Sequence, residues 1–211
     1  MTDTEVALKT QGNALFKQMP EFCFGLVDFN QLPTDDLPEI AFVGRSNVGK
    51  SSLINAVAGC KIARTSVTPG RTQQFNFFKV QNACYIVDLP GYGFAKAPKK
   101  MVEHWTRMIH QYLRGRVQLK RVFLLIDSRH GIKEVDANIM KMLDTSAVSY
   151  QIILTKMDKI TQKQQETVLA DTLAISAKHA ACYPEIILTS AEKRIGIEQV
   201  RMQFVKLIAG I

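Results

Sequence analysis

One stretch of the sequence combines glycines, a lysine and a serine in a spacing that suits the binding of phosphate groups. It consists of Gly44, Arg45, Ser46, Asn47, Val48, Gly49, Lys50 and Ser51, and it matches the pattern G-x-x-x-x-G-K-[ST]. In this pattern the glycines allow backbone N–H groups to surround phosphate oxygens, the lysine reaches the terminal phosphates and the hydroxyl ligates magnesium. We therefore predict a nucleotide-binding loop in which Lys50 is catalytic, Ser51 is a Mg²⁺ ligand and the adjacent Ser52 contacts the nucleotide.

A phosphate loop does not distinguish GTP from ATP, so the base must be recognised by another segment. Thr155-Lys156-Met157-Asp158 follows the apolar run 151–154 and matches the pattern [NT]-K-x-D. The Asp158 carboxylate can accept hydrogen bonds from both N1–H and the exocyclic amine of guanine, whereas adenine has no such edge. Lys156 can lay its aliphatic stem against the base. Thr155, Lys156 and Asp158 therefore predict a guanine nucleotide as the ligand.

A second short segment favours the same base but is too short to establish it alone. Thr189, Ser190 and Ala191 follow the apolar run 185–188, where a strand is predicted to end. A backbone N–H at this position could meet the guanine O6, so we include the three residues in the predicted nucleotide site.

Between these motifs lies Asp88-Leu89-Pro90-Gly91, directly after the predicted strand 83–87. Asp88 is placed to hold the magnesium shell through water, and the Gly91 N–H can approach the γ-phosphate because glycine has no side chain in the way. The alternative is an ordinary turn at the end of a strand. The position between a phosphate loop and a guanine motif favours the catalytic interpretation.

The remaining part of a GTP site is a threonine that binds magnesium only when GTP is present. Thr68-Pro69-Gly70-Arg71-Thr72 is the candidate segment. We predict that Thr72 is the catalytic metal ligand rather than Thr68 or Thr65, because Thr68 precedes a proline and begins a turn. We place Gly70 and Arg71 beside the nucleotide, in a segment that can order or release as a switch.

These motifs require strands that end at them and helices that follow them. We predict strands over residues 39–43, 75–80, 83–87, 122–126, 150–154 and 185–188, and helices over residues 52–58, 99–113, 134–143, 162–179 and 197–208. The alternation predicts an α/β fold with a mostly parallel sheet and helices on both faces. Residues 1–36 show no clear periodicity, so we predict an N-terminal extension before a nucleotide-binding domain over residues 37–211.

The composition limits the class of protein. A chain of 211 residues with 46% hydrophobic residues can bury one sizeable core. The apolar runs are shorter than the roughly 20 residues that span a bilayer, and the N-terminus does not resemble a secretory signal. The four cysteines, Cys23, Cys60, Cys84 and Cys182, lack C-x-x-C spacing. We therefore expect a cytoplasmic protein with reduced, structural thiols and no membrane partner.

The basic charge is concentrated in one part of the chain. The formal net charge is +8, but residues 60–121 contain twelve Lys or Arg residues and two acids. Such a stretch is typical of a surface that binds a polyanion, although a solvated basic face that binds nothing is the alternative. Lys96, Lys99 and Lys100 come shortly after Gly91, so a polyanion bound there could sense which nucleotide is present.

Several segments resemble the YihA/EngB-type GTPases, a bacterial family in the larger group that includes Era. The resemblance rests on residues 37–55, on 68–73 with 76–78, on Asp88-Leu-Pro-Gly-Tyr-Gly-Phe-Ala95, on 127–130 and on 155–158. It implies a P-loop NTPase G domain with a six-stranded sheet. It also implies a role in assembly of the large ribosomal subunit, with that subunit and its rRNA as partners, and an effect of protein loss on cell division and septation. We expect a monomer that does not bind DNA.

Two positions bear on the rate of hydrolysis. Tyr92 stands where Ras-like enzymes carry a glutamine that orients water, so intrinsic hydrolysis should be slow. Asn47 resembles the asparagine with which related GTPases help to bind a potassium ion, and K⁺ could supply positive charge at the transition state.

The position of Arg129 and His130 after a predicted strand end favours a loop-shaping role over a catalytic one. Trp105 and Tyr112 favour core packing over base stacking.

Two other functions remain open on the sequence. One is a Ras-like switch that recruits a protein partner without binding RNA, in which case the basic charge is incidental. The other is an ATP-using kinase, which would require the match at residues 155–158 to be accidental. RNA affinity distinguishes the first alternative, and nucleotide choice after substitution of Asp158 distinguishes the second.

Overall fold

A computed structural model describes residues 2–26, 29–63, 74–93 and 99–211, without the side chains of residues 99–102, 104 and 105. The helices are α1 (Asp3–Leu15), α2 (Lys50–Ala58), α3 (Lys99–Gly115), α4 (Glu134–Thr145), α5 (Gln162–Ser176) and α6 (Ile197–Ala209). The strands are β1 (Glu21–Leu26), β2 (Glu39–Gly44), β3 (Phe75–Val80), β4 (Cys84–Asp88), β5 (Leu119–Asp127), β6 (Tyr150–Thr155) and β7 (Ile187–Leu188). Short 3₁₀ helices cover Phe29–Gln31 and Met157–Lys159.

The strands form one sheet in the order β1-β3-β4-β2-β5-β6-β7. Strand β2 is parallel to β4 and β5, and β6 is parallel to β5 and β7, whereas β3 is antiparallel to β1 and β4. The predicted α/β G domain is confirmed. Because parallel strands end at the same edge of a sheet, the ends of β2, β4, β5 and β6 meet there, and ligands of open α/β sheets bind at this edge.

The sheet has seven strands in the described part of the chain, so the expectation of six is wrong by one. The additional strand, β1, comes from the predicted N-terminal extension and pairs with β3. The Phe24 and Phe77 rings stack with their centroids 4.9 Å apart. The register of the β1–β3 pairing shifts between Phe22 and Phe24. This shift breaks the two-residue alternation by which a strand is recognised in a sequence.

The N-terminal helix is also part of the packed body, since α1 lies against α6. A Cβ atom at Gly12 would lie 3.1 Å from the Arg201 backbone carbon, so the helices approach closely. The Arg201 guanidinium donates to Asn13 Oδ1 at 2.9 Å and to the Val57 carbonyl at 2.9 Å. In α1 itself only Leu8 and Gly12 are buried, which explains why its sequence shows no clear periodicity.

Aliphatic and aromatic side chains cover both faces of the sheet. One apolar cluster includes α3 and α4, and the other includes α2 and α6. Every residue of β2, β4 and β6 is buried, which agrees with the continuous apolar runs expected of central parallel strands. Among the described residues, no helix is both long enough and apolar enough to span a membrane.

Several predicted elements are longer in the structure, such as β5, which was predicted over 122–126 and spans Leu119–Asp127, but two are shorter. Helix α5 ends at Ser176 rather than at 179, because the chain then turns so that His179 Nδ1 lies 2.6 Å from Asp144 Oδ2. Strand β7 contains two residues rather than four. Both differences come from contacts between segments distant in sequence, which local apolar spacing does not reveal.

Candidate functional site

The glycine-rich loop connects the end of β2 to the start of α2. A Cβ atom at Gly44 would lie 2.8 Å from Val48 Cγ1 and 3.0 Å from the Leu125 carbonyl oxygen, so a side chain there would clash with backbone. Gly49 has φ 102° and Asn47 has φ 63°. The loop thus requires glycine at position 44, where neighbouring atoms leave little room for a side chain, and at position 49, where the backbone is left-handed.

The lysine of this loop lies beside the carboxylate that ends β4. Lys50 Nζ forms an ion pair with Asp88 Oδ1, and both side chains are largely buried. The two residues come from segments 38 positions apart. Their contact brings the predicted phosphate-binding ammonium and the predicted metal-binding carboxylate to one point at the carboxyl edge of the sheet.

The residues near this point suit a magnesium ion. Ser51 lies in the first turn of α2, directly after Lys50, and Asp88 is 4% exposed. A hydroxyl and a carboxylate are the oxygen ligands that Mg²⁺ takes together with nucleotide phosphates. The third predicted ligand, Thr72, and its neighbours Gly70 and Arg71 lie outside the described residues, so their roles stay predictions.

The turn after Asp88 is bonded to the phosphate loop through its backbone. Ser46 N donates to the Tyr92 carbonyl at 2.9 Å, and Tyr92 N donates to the Gly44 carbonyl at 3.2 Å. A Cβ atom at Gly91 would lie 3.4 Å from the Gly44 carbonyl oxygen, so the two segments approach within van der Waals contact. The predicted catalytic Gly91 is therefore adjacent to the loop, and a movement of either segment acts directly on the other.

The side chain of Tyr92 points to α4. Its hydroxyl donates to Asp136 Oδ1 at 2.6 Å, and Asp136 Oδ2 accepts from Lys133 N at 2.8 Å. Burial and the adjacent Asp136 carboxylate raise the pKa of Tyr92 well above its usual value. The phenol is thus occupied by a structural contact. The side chain of Arg45 likewise lies beside the turn, where a Cβ atom at Gly93 would be 3.7 Å from Arg45 Nε.

A pocket of about 160 Å³ joins the phosphate loop to the two base-reading segments. Seven of the predicted nucleotide residues line it: Gly49, Ser52, Thr155, Lys156, Asp158, Thr189 and Ala191. The buried Thr155 hydroxyl donates to the Val48 carbonyl at 2.7 Å, and Thr189 N donates to the Leu154 carbonyl at 2.7 Å. Hydrogen bonds between the segments thus hold the pocket together.

The carboxylate predicted to recognise guanine is oriented by a neighbouring serine. Ser190 Oγ donates to Asp158 Oδ1 and also accepts from Lys193 N at 3.0 Å. The hydrogen bond from Ser190 lowers the pKa of Asp158, which keeps the group ionised. Asp158 Oδ2 lies 3.1 Å from Lys159 Nζ and makes no aligned hydrogen bond within the described part of the chain. The protein thus leaves part of its hydrogen-bonding capacity unfilled.

Sequence reasoning missed two side chains of this site. It assigned to Ser190 only a backbone role, whereas the Ser190 hydroxyl holds Asp158. It assigned no role to Asp127, whose Oδ2 lies 2.8 Å from Lys156 Nζ. The position of Asp127 at the end of a central strand was the available signal, because such residues face the ligand edge.

Three further residues for which minor roles were predicted are located by the structure. Arg129 forms an ion pair with Asp127, and His130 is exposed, which suits the expected loop-shaping role. Tyr112 is buried in the core and its hydroxyl donates to Glu39 Oε2 at 2.7 Å. The Trp105 side chain lies outside the described part of the structure.

The basic stretch divides into cations with internal partners and exposed ones. Arg116 pairs with the fully buried Glu39, Lys79 lies 3.5 Å from Asp35 Oδ2, and Arg121 stacks over the Tyr183 ring at 3.9 Å. The exposed cations in the described part of the stretch are Lys61, Arg107, Arg114 and Lys120. Arg64, Arg71 and Lys96 and the side chains of Lys99 and Lys100 lie outside the described residues. The surface available to a polyanion is thus smaller than the charge count suggests.

Comparisons with known proteins agree with this geometry. Residues 39–156 match the family model described as 50S ribosome-binding GTPase. The chain is 55% identical over 202 residues to the probable GTP-binding protein EngB of Rhodospirillum rubrum, with 93% of this chain and 87% of that protein covered. It is 56% identical over 191 residues to the probable GTP-binding protein EngB of Ruegeria pomeroyi, with 90% and 88% covered. A solved structure of a probable GTP-binding protein engB matches with a TM-score of 0.64 and 25% identity, over 82% of this chain and all of that one.

Proposed function

Because the chain belongs to the EngB family of P-loop GTPases, we propose that it is a GTP-dependent switch in assembly of the large ribosomal subunit, with rRNA as its partner. That it binds GTP and hydrolyses it to GDP and phosphate follows from the family. The ribosomal role is supported by the family description, 50S ribosome-binding GTPase. The proposal includes a cytoplasmic location and disturbed cell division and septation when the protein is lost.

The residues of the pocket suggest how each part of the nucleotide is held. The Asp158 carboxylate accepts from the guanine edge, and the Lys50 ammonium neutralises the terminal phosphates. Gly91 lies within van der Waals contact of the phosphate loop, which supports the proposal that its N–H meets a γ-phosphate. Ser51, Asp88 and Thr72 are the proposed metal ligands, and a bound Mg²⁺ would offset charge on the phosphate oxygens during transfer.

One observation carries the choice of an RNA partner. The exposed cations Arg107 and Arg114 lie on α3, which is the next helix after the turn that is bonded to the phosphate loop. Phosphate groups attract such cations, and the strength of this attraction falls steeply with salt. The proposal is that a change at Gly91 on loss of the γ-phosphate alters the position of α3 and hence its affinity for RNA.

Sedimentation with ribosomal subunits tests this proposal. Binding should be strongest with a non-hydrolysable GTP analogue, weaker with GDP and without nucleotide, and should decrease as salt rises. The double variant Arg107→Gln with Arg114→Gln should weaken binding and reduce the salt slope by about one for each RNA phosphate that is no longer neutralised. The matched control is Lys163→Gln with Lys178→Gln, which removes the same charge from exposed positions near the two ends of α5. Equal, salt-insensitive pelleting in every nucleotide state would contradict the proposal, whereas no pelleting in any state would favour a Ras-like switch that does not bind RNA.

We also propose that hydrolysis is slow without the ribosome and that K⁺ accelerates it. The Tyr92 hydroxyl is bonded to Asp136, so it does not orient an attacking water. The exposed loop residue Asn47 resembles a potassium-binding asparagine. Turnover should be faster in potassium than in sodium buffer of equal ionic strength, and Asn47→Ala should remove the difference. Equal turnover of the unmodified protein in the two buffers would exclude K⁺ activation.

A further inference from the structure

We propose that Asp127, held by Arg129, is a positioning residue for guanine-nucleotide binding that acts through Lys156. Asp127 lies one strand away from the base-reading segment, opposite Thr155 in the register of β5 and β6. It does not line the nucleotide pocket. The inference rests on GTP binding, and it is independent of the proposed ribosomal partner.

The carboxylate of Asp127 is held by four hydrogen bonds. Arg129 donates from Nε to Oδ1 at 2.9 Å, from Nη2 to Oδ2 at 2.7 Å and from its backbone N to Oδ1 at 3.1 Å. Lys156 Nζ donates to Oδ2 at 2.8 Å. A two-pronged arginine contact of this kind fixes the plane of a carboxylate as well as its position. The oxygen that faces Lys156 is therefore fixed in direction.

Lys156 is strained in its backbone and restrained at its side-chain end. Its φ is 60°, in the left-handed region that non-glycine residues seldom adopt. Its Nζ donates to the Asn47 carbonyl at 2.6 Å as well as to Asp127. Its Cε would lie 3.6 Å from a Cβ atom at Gly49, so the aliphatic stem runs beside the phosphate loop at the wall of the pocket. Asp127 thus holds the end of a side chain that lines the pocket.

Loss of the Asp127 charge should loosen this side chain, because its ammonium loses one of the two acceptors described above. An unrestrained lysine regains rotamer freedom, and a nucleotide must then order the side chain when it binds. Burial alone would raise the pKa of Asp127, but hydrogen bonds from Arg129 and Lys156 lower it to about 2. The carboxylate is therefore ionised throughout the neutral range, and the arrangement does not depend on a proton near pH 7.

The test measures dissociation of fluorescently labelled GDP by stopped flow. Asp127→Asn should raise the dissociation rate about tenfold, because a hydrogen bond to a charged group is removed. Lys156→Met, which keeps an unbranched stem, should raise it to a similar extent. The double variant should release GDP no faster than Lys156→Met alone, because Asp127 then has no ammonium to hold. Fully additive effects would overturn the proposal, since Asp127 would then act independently of Lys156.

Two further measurements separate positioning from general destabilisation and from base recognition. The matched control is Asp144→Asn, which weakens a comparable carboxylate contact to His179 far from the pocket and should leave GDP dissociation unchanged. Asp127→Asn should weaken the binding of GDP and of IDP, the analogue without the exocyclic amine, by the same factor. A defect at Asp158 would instead change the ratio of the two affinities. A tenfold faster GDP dissociation in Asp144→Asn, or a changed GDP to IDP ratio in Asp127→Asn, would also overturn the proposal.

Discussion

The two edges of the parallel strands each carry a carboxylate that is held by an arginine and a second donor. At the carboxyl edge, Asp127 accepts from Arg129 and from Lys156, and both donors retain exposed surface. At the amino edge, Glu39 is fully buried and accepts from Arg116 Nε at 2.8 Å and from the Tyr112 hydroxyl at 2.7 Å. The donor chemistry is similar, but Asp127 contacts a lysine that lines the candidate nucleotide pocket, whereas Glu39 borders the core.

The difference shows that the edge of the sheet at which an ion pair lies determines whether it stabilises the core or orders the candidate nucleotide site. Arg116 also donates to the Pro33 carbonyl at 2.8 Å, so the Glu39 cluster ties the end of α3 to β2 and to the segment before it. The Asp127 cluster instead ties two ligand-contacting segments to each other. We expect damage to the first cluster to appear in stability and damage to the second to appear in nucleotide binding.

The largest effect should follow removal of the arginine at the amino edge. Arg116→Met leaves the Glu39 carboxylate buried without its cation, which should lower the free energy of unfolding by about 3–5 kcal/mol. Urea denaturation monitored by circular dichroism measures this. Arg114→Met, at an exposed position two residues earlier in the last turn of α3, is the control and should change the stability by less than about 0.5 kcal/mol. Similar losses in the two variants would mean that the buried pair has no special role.

The next largest effect belongs to base recognition at the carboxyl edge. Asp158→Asn replaces a two-oxygen acceptor by an amide, so GDP affinity should fall about 100-fold and preference should move toward xanthine nucleotides. Titration calorimetry with GDP and XDP measures both changes. Unchanged nucleotide choice would show that Asp158 does not recognise the base.

The pH dependence of stability should distinguish Asp127 from its neutral variant. Its pKa is about 2 in the folded chain and about 3.9 in an unfolded one, so the stabilisation is present above pH 4 and is lost as the pH falls toward 2. Asp127→Asn should therefore lose about 2 kcal/mol less stability than the unmodified protein between pH 5 and pH 2. Urea denaturation across this range measures the difference, and parallel curves would show that Asp127 is not stabilised in the folded state.

The smallest effect concerns the turn at Gly91 and Tyr92. Tyr92→Phe removes the donor to Asp136 and should lower the free energy of unfolding by about 1–2 kcal/mol. Intrinsic GTP turnover should change by less than about twofold, because the hydroxyl is bonded to Asp136 and does not orient a water. A large loss of turnover with normal stability would place the phenol in the reaction instead.

Most of the candidate site could be predicted because its residues lie in short sequence motifs that occur in a fixed order along the chain. The glycine spacing before Lys50, the aspartate after β4 and the tetrapeptide after β6 each occur at a strand end, where local apolar patterning is strong. The N-terminal segment was harder to predict. Strand β1 contains a register shift, and α1 buries few of its residues, so neither shows the periodicity by which elements are recognised.

The sequence by itself determined the fold class, the phosphate loop and the choice of guanine, because a strand, a loop and a helix with fixed residue types admit few other structures. Only the tertiary structure decided how side chains distant along the chain act together. It placed Ser190 on Asp158, Asp127 on Lys156 and Tyr92 on Asp136. It also removed Arg116 and Arg121 from the surface available to a polyanion. These contacts join residues 29 to 77 positions apart, and their partners are set by sheet order and helix packing rather than by local pattern.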